Sequence, residues 1–513
     1  MEEIKEIIGA VSRNKIRKIE IIGQEMSETK LFQLYELIDN GVRTDEEAIK
    51  ALYDRVTYKS RNSYNKLKYS LKRRLLNTMF FIRTNSLVVE QDQAKAYVDS
   101  LKRMMEIRLL ASAGAIQLAT KMAKSLLPKV EQYEFWDLAI FIARFLRGMY
   151  VVTSPSLTQF KKYDKKLNRF LQIDGRIIEA EGFYYQLVVQ MISNKSTNLQ
   201  LSEQAKKYEK VLSKNKDTVL SYKLDFYKNA ISIIRLMSVY EYPKAVKILE
   251  NALKSLKEPK FFSAFYTGYL VNLVACNTYL RQYEAGRLNV EKALEYAPVG
   301  SFNWVQAKST HVALAFHAKE YAVIPAIYLE VTKHSKFKKV PSHFREIWIL
   351  YYAWMYLLSR VGLLALPENF IPSRFKLGDW LGQIKETAKA RNLLSINIRI
   401  IKTVDWLLDE NYGALINQDD GLKRYRYRYV KNSAQQRANV ILRYLINIQK
   451  REFMDYKCVR INASTQKTLK EMPVELKWAS FEIEVIPFDD VVELIASIME
   501  KNGRRIRESK LPE

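Results

Sequence analysis

The chain has 513 residues and a formal net charge of +27, with only 16 glycines, 12 prolines and two cysteines. Its length exceeds what one compact core usually supports, and no flexible linker divides it, so we expect an array of small structural units. Two distant cysteines exclude a disulfide-stabilised scaffold, and the charge argues against a partner that is itself basic.

Three helices are predicted near the N-terminus, over residues 30–40, 44–53 and 61–82. Thr44 and Glu47 have the spacing of a capping box at the start of the second helix. A basic third helix is also typical of helix-turn-helix DNA-binding units, but an array needs a helical cap with a polar outer face, and we favour the cap. The residues before this unit lack the uninterrupted apolar core of a signal peptide.

Apolar residues with helical spacing continue from about residue 90. In the middle third, small residues recur at Ala205, Ala245 and Gly286, and Ile324 takes the equivalent place in a looser fourth copy. The intervals are 40, 41 and 38 residues. Spacing of that order predicts one helix pair per repeat.

The clearest copy lies within residues 267–300. Its first helix carries Leu270, Leu273 and Val274, and its second helix carries Tyr283, Gly286, Val290 and Ala293 before Pro298. The flanking copies match through Tyr242, Ala245, Leu249 and Ala252, and through Tyr321, Tyr328 and Val331.

This order of residues resembles the tetratricopeptide repeat. Glycine and isoleucine replace the usual alanine in two copies, and the period exceeds the usual length of about 34 residues. The resemblance covers residues 200 to 335. It implies an all-α fold, a right-handed α-α superhelix of paired helices, to which we add the N-terminal helical cap.

After residue 366 the segment 367–372 interrupts the array, and helices are predicted over residues 377–408, 422–453 and 489–502. A weak alternation over residues 481–487 predicts a short strand. We therefore expect an N-terminal unit over residues 1–90, a solenoid over 91–366 and a C-terminal helical region over 367–513. Residues 347–366 are long enough to span a bilayer, but Ser359, Arg360 and Gly362 interrupt them, which favours a buried solenoid helix.

Two stretches each contain nine basic residues and no acid, residues 55–89 and residues 421–451. Unbalanced cationic helices repel themselves, so an anionic partner is expected, inside the fold or outside it. In the first stretch the cations are expected on the solvent side of a helix whose apolar stripe contains Leu67, Leu71, Leu75 and Met79. The candidate polyanion-binding residues are Lys66, Lys68, Lys72, Arg73, Arg74, Lys423, Arg424, Arg426, Arg428 and Lys431.

The second stretch alternates arginine and tyrosine over residues 423–429, as KRYRYRY. On a helix, Arg424 and Arg428 share one face, as do Tyr425 and Tyr429. Arginine beside exposed tyrosine is the chemistry of single-stranded nucleic acid binding. The alternative, which we favour for the rings, is that the tyrosines belong to the core and the arginines extend outward.

No motif of nucleotide-driven or hydrolytic enzymes is present, so catalytic residues and cofactors are not expected. Nor is a metal expected at the four histidines, since His311 and His317 do not share a helical face. Carboxylates around Lys477, including Glu484, would suit a metal-dependent nuclease only if a sheet held them.

The predicted function is a non-enzymatic cytoplasmic scaffold that captures a protein partner on its repeat surface. The alternative is a nucleic-acid-binding protein or helix-turn-helix regulator that uses the two basic stretches. Neither hypothesis involves a membrane.

Overall fold

The protein is described from a computed structural model. The described residues are 4, 29–42, 44–79, 92–152, 155–192, 198–214, 221–256, 262–384, 391–430, 436–450, 456–474 and 484–508. Every regular element within these ranges is helical, so the predicted all-α class is confirmed. The chain divides into two compact units, Met1–Leu171 and Gln172–Glu513. The predicted domain limits after residues 90 and 366 stay predictions.

Within the described residues, the first unit contains six whole α-helices and the start of a seventh. They are α1 (Lys30–Asp39), α2 (Asp45–Tyr53), α3 (Tyr58–Met79), α4 (Asp92–Ser112), α5 (Ile116–Gln132), α6 (Trp136–Val152) and α7 (Leu157–Ile192), which continues into the second unit.

The second unit contains fourteen further helices within the described ranges. They are α8 (Asn198–Lys214), α9 (Tyr222–Ser238), α10 (Tyr242–Ser255), α11 (Ser263–Tyr279), α12 (Tyr283–Glu295), α13 (Phe302–Ala318), α14 (Ile324–Thr332), α15 (Ser342–Val361), α16 (Leu377–Leu381), α17 (Arg391–Leu408), α18 (Tyr412–Tyr425), α19 (Gln436–Lys450), α20 (Tyr456–Glu471) and α21 (Phe488–Glu508).

Helices α1 to α3 enclose a small core of their own, built around Leu34, Ile49 and Leu71. The predicted capping box of α2 is confirmed. The backbone N–H of Glu47 donates to Oγ1 of Thr44 at 3.2 Å, and the backbone N–H of Thr44 donates to Oε2 of Glu47 at 3.3 Å. These two bonds satisfy amides that a helix start leaves unpaired.

The predicted small positions all lie in buried parts of helices. Ala205, Ala245 and Ile324 are fully buried in α8, α10 and α14, and Gly286 is buried in α12. A Cβ built on Gly286 would lie 2.5 Å from Cδ2 of Leu314 in α13, so glycine is what lets these two helices approach.

The same turn precedes most of these helices. In each case, a residue in the left-handed conformation follows the first helix of the pair. The buried small position of the second helix lies five residues further on, as Ala245 does after Tyr240 and Gly286 does after Arg281. The residue after the left-handed one donates its backbone N–H to the carbonyl of the residue five positions before it. This hydrogen bond is the longer one of a Schellman motif. Gly114, Glu134, Lys319 and Glu410 occupy the corresponding place in other turns.

Consecutive helices pack against each other from α8 to α14. Helix α11, the first helix of one pair, also packs against α13, the first helix of the next pair. This is the packing of a helical repeat array. The largest buried core extends from Ala297 to Met499 and joins the end of the array to the C-terminal helices.

Two sequence-based expectations concern the C-terminal half. The predicted strand over residues 481–487 is wrong for its described part, because residues 484–487 form a bend directly before α21, while residues 481–483 lie outside the described ranges. Residues 347–361 belong to α15, whose aromatic residues Trp348 and Trp354 are buried in the core. Over the described part of the chain, no helix is long and apolar enough to cross a membrane.

Candidate polyanion-binding site

The second basic stretch forms the end of α18, a π-helical turn over Arg426–Val430, and α19. Helix α18 starts where Oδ1 of Asn411 accepts from the backbone N–H of Ala414 at 3.1 Å. It ends with Lys423 and Arg424 in its last turn, where cations complement the helix dipole. Single π turns within helices are frequent at functional sites, because the wider turn redirects neighbouring side chains.

A surface pocket of about 540 Å³ lies where the π turn packs against α19. Five cationic side chains line it, and none of its described lining residues is acidic. The lining residues are Lys423, Arg424, Arg426, Tyr427, Arg428, Arg443, Ile446 and Asn447. Four of the five predicted cations of this stretch therefore meet in one pocket, while Lys431 lies outside the described residues.

Two of the arginines are held by neutral oxygen atoms. Nε of Arg426 donates to Oδ1 of Asn439 on α19 at 2.7 Å, and Nε of Arg424 donates to the backbone carbonyl of Asp420 at 3.2 Å. Burial lowers the pKa of Arg426, and the charge of Arg443 lowers it further. The pocket therefore concentrates like charges that an anion would stabilise.

The tyrosines of the KRYRYRY segment divide between core and surface. Tyr425 is buried, and the guanidinium carbon of Arg399 lies 4.5 Å from its ring centroid. Tyr427 is 72% exposed and lines the pocket. The expectation of a core position therefore holds for Tyr425 and is wrong for Tyr427, and the side chain of Tyr429 lies outside the described residues.

The first basic stretch lies on α3. Lys66 and Arg73 are exposed there, and Leu71 and Leu75 form the buried side of the helix. Lys68 is paired: its Nζ donates to Oδ2 of Asp45 at 2.9 Å. Lys72 and Arg74 are half-buried.

Counting acids along the sequence overstated the uncompensated charge, since several of the 18 cations have acidic partners elsewhere in the chain. Besides the Lys68–Asp45 pair, Arg61 pairs with Glu46 at 2.7 Å and Lys423 pairs with Asp420 at 3.5 Å. Burial by itself raises the pKa of Asp45, but its bonds with Lys68 and Tyr64 lower it overall.

Sequence reasoning missed a buried charge cluster around Arg437 of α19. Arg437 is almost fully buried; its Nε lies 2.6 Å from Oε1 of Glu484, and one terminal nitrogen lies 3.0 Å from Oδ1 of Asp489. It also donates to the backbone carbonyls of Leu469 and Met472. Burial lowers the pKa of Arg437, but the two carboxylates outweigh it and raise the pKa overall. Arg437 is therefore a structural cation.

The cluster continues into the turns of the repeat array. Arg281 lies 2.6 Å from Oδ2 of Asp489, and Lys319 lies 3.1 Å from Oδ1 of Asp490. Nε2 of His317 donates to the backbone carbonyl of Glu484 at 2.8 Å. Glu484 is thus a structural residue, and burial raises its pKa despite Arg437.

The remaining candidate residues are the histidines and the two cysteines. Burial lowers the pKa of both His311 and His317 to about 4, and no group of described residues has the composition of a metal site. Cys276 is buried, which raises its pKa to about 12. The side chains of His343 and Cys458 lie outside the described residues.

Comparisons of the chain with known protein families, curated proteins and solved structures found no match.

Proposed function

We propose that this chain is a non-enzymatic helical repeat protein that binds nucleic acid through the cationic pocket of α18 and α19. The observation that carries the proposal is the pocket itself, in which five cationic side chains meet and which no acidic side chain of the described residues lines. Phosphate groups suit this lining, because the guanidinium offers paired donors in a fixed geometry that matches the oxygen atoms of a phosphate. A cytoplasmic location and the tetratricopeptide class of the array belong to the same proposal.

The pocket also predicts a magnitude. Each phosphate neutralised on a single strand contributes about −0.7 to the slope of log K against log salt concentration. Five cations therefore set a limiting slope of about −3.5 for this pocket. A slope near this value would show that the pocket carries most of the electrostatic binding.

The test is fluorescence anisotropy with labelled single-stranded and duplex probes of about 20 nucleotides over a series of salt concentrations. The triple variant Arg424→Glu, Arg426→Glu, Arg428→Glu should lose most of the affinity and flatten the slope. The matched control is Lys206→Glu, Lys207→Glu, Lys210→Glu, which changes the net charge equally on exposed positions of α8. An equal loss in both variants, or no salt-dependent binding by the wild-type protein, would refute the proposal.

The first basic stretch supports a separate contribution. If α3 also contacts nucleic acid, Lys72→Glu, Arg73→Glu, Arg74→Glu should lower affinity independently of the pocket variant. Unchanged binding in this variant would restrict the function to the pocket and favour the role of a helical cap for α1 to α3.

Capture of a protein partner is the second candidate function. It is favoured by exposed apolar residues on one side of α7, where Ile178 is 60% and Val189 is 64% exposed. Patches of this kind commonly mark protein interaction sites. A partner identified by mass spectrometry with the wild-type protein should be lost with Ile178→Glu, Val189→Glu and retained by the pocket triple variant. Retention by both variants would exclude this face.

A further inference from the structure

Tyr427 is the feature of the pocket that phosphate binding alone does not explain. Tyr427 is 72% exposed, although it lies between two arginines in the chain and two residues from the buried Tyr425. A pocket that bound only phosphate groups would need cations and amides. An aromatic ring in the lining offers a flat apolar surface on which another ring stacks.

Arg426 gives the pocket a fixed cation beside that ring. It is half-buried, and its Nε is held by Asn439. Within the described residues no hydrogen bond or ion pair involves its two terminal nitrogens. These nitrogens are therefore available to one anionic group, and the exposed Arg443 of α19 supplies a second cation in the same lining.

Cation and ring share one pocket at the π turn. Arg426 is the first residue of this turn and Tyr427 is the second. Both line the pocket, as do Arg424 and Arg428. The volume of about 540 Å³ lies in the range of pockets that hold one small molecule or one unit of a polymer.

We infer that the pocket binds one nucleotide unit of a single-stranded nucleic acid, with its phosphate between Arg426 and Arg443 and its base stacked on Tyr427. The inference rests on the proposed function and adds the strand type and the role of the ring. Duplex nucleic acid fits less well, because its bases are already stacked inside the helix and do not offer a free face to a tyrosine.

The experiment compares a ten-nucleotide thymidine strand with an abasic strand of the same length and charge, by competition against a labelled strand at fixed salt. We expect the wild-type protein to prefer the thymidine strand by about five- to hundredfold, the range found for base–aromatic stacking. Tyr427→Ala should remove this preference, so that this variant binds the thymidine strand and the abasic strand with equal affinity. Tyr427→Phe should retain the preference, because phenylalanine keeps the ring.

Three outcomes would overturn the inference, and they are distinguishable. Equal affinity of the wild-type protein for both strands, with the salt dependence intact, would mean that the pocket binds phosphates without the base, and the proposed function would stand. Absence of binding to either strand would remove the proposed function and the inference together. A preference retained by Tyr427→Ala would place the stacking ring elsewhere in the chain.

Discussion

Replacing Gly286 by alanine tests the helix crossing that defines the repeat. The added Cβ would lie 2.5 Å and 2.9 Å from the two Cδ atoms of Leu314, and 3.3 Å from Cβ of Asn277. Leu314 is fully buried and packs in a cluster with Val274 and Val290, so a shift of its side chain disturbs that cluster. Overpacking of this kind costs about 1 to 3 kcal/mol.

Alanine also favours the helical backbone over glycine by about 1 kcal/mol, which offsets part of this cost. The expected net effect of Gly286→Ala is therefore a loss of about 1 kcal/mol in the free energy of unfolding. The matched control is Gly175→Ala in the interior of α7, where nothing lies within 4 Å of the added Cβ. The same chemical change should stabilise the protein there by about 1 kcal/mol.

Hydrogen exchange followed by mass spectrometry measures both effects locally. A loss of 1 kcal/mol should make amides of α12 and α13 exchange about fivefold faster in Gly286→Ala, and amides of α7 should exchange more slowly in Gly175→Ala. If Gly286→Ala were as stable as the wild-type protein while Gly175→Ala gained stability, α12 and α13 would not approach as closely as the structure places them.

Three further predictions follow from the packing and the charges. Ala245→Leu and Ala293→Leu should each lower the free energy of unfolding by about 1 to 3 kcal/mol in urea titrations, and unchanged midpoints would mean that neither alanine lies at a helix crossing. Arg437→Leu leaves Glu484 buried without its partner and should cost about 3 to 5 kcal/mol, part of which Glu484→Gln in the same chain should recover. Because burial lowers the pKa of His317 from 6.5 to about 4, its contribution to stability is present above pH 6.5 and falls progressively toward pH 4, by on the order of 3 kcal/mol. A stability–pH profile of His317→Gln that matched the wild-type profile would refute this assignment.

The sequence predicted the features that have local signals. Thr44 and Glu47 are three residues apart, so the capping box depends on no distant contact. The small positions at Ala245 and Gly286 were predictable, because closely packed helices need a small residue at the same place in each repeat and this recurrence is visible in the sequence. The turns before them carried no such signal. Their left-handed residues include Tyr240 and Arg281, whereas glycine and asparagine are the residues that normally reveal this conformation.

The charge distribution was predicted less well, because ion pairs depend on distances in space. Arg437 looked uncompensated in a stretch without acids, yet its partners Glu484 and Asp489 follow 47 and 52 residues later. The alternation of arginine and tyrosine did not distinguish Tyr425 from Tyr427 either. The packing of Tyr425 in the core of the C-terminal helices, with Arg399 over its ring, distinguishes it from the exposed Tyr427.

Whether a cation has an acidic partner depends on distances in the fold and not on the spacing of charges along the chain. This property separates structural cations from those available for a ligand. Arg437 and Arg443 belong to the same helix, but two carboxylates contact Arg437 inside the protein, whereas Arg443 lines a pocket whose described lining includes no acidic side chain. A cation with a buried acidic partner has already exchanged its water for that partner and gains little from an external anion. A cation held by neutral oxygen atoms, as Arg426 is by Asn439, keeps its charge uncompensated. It therefore adds to the positive electrostatic potential that attracts an anionic ligand. Among the described residues no acidic side chain lines the pocket, although Lys423 also pairs with the exposed Asp420. The cations of the pocket, rather than all 18 of the basic stretches, therefore carry the proposed function.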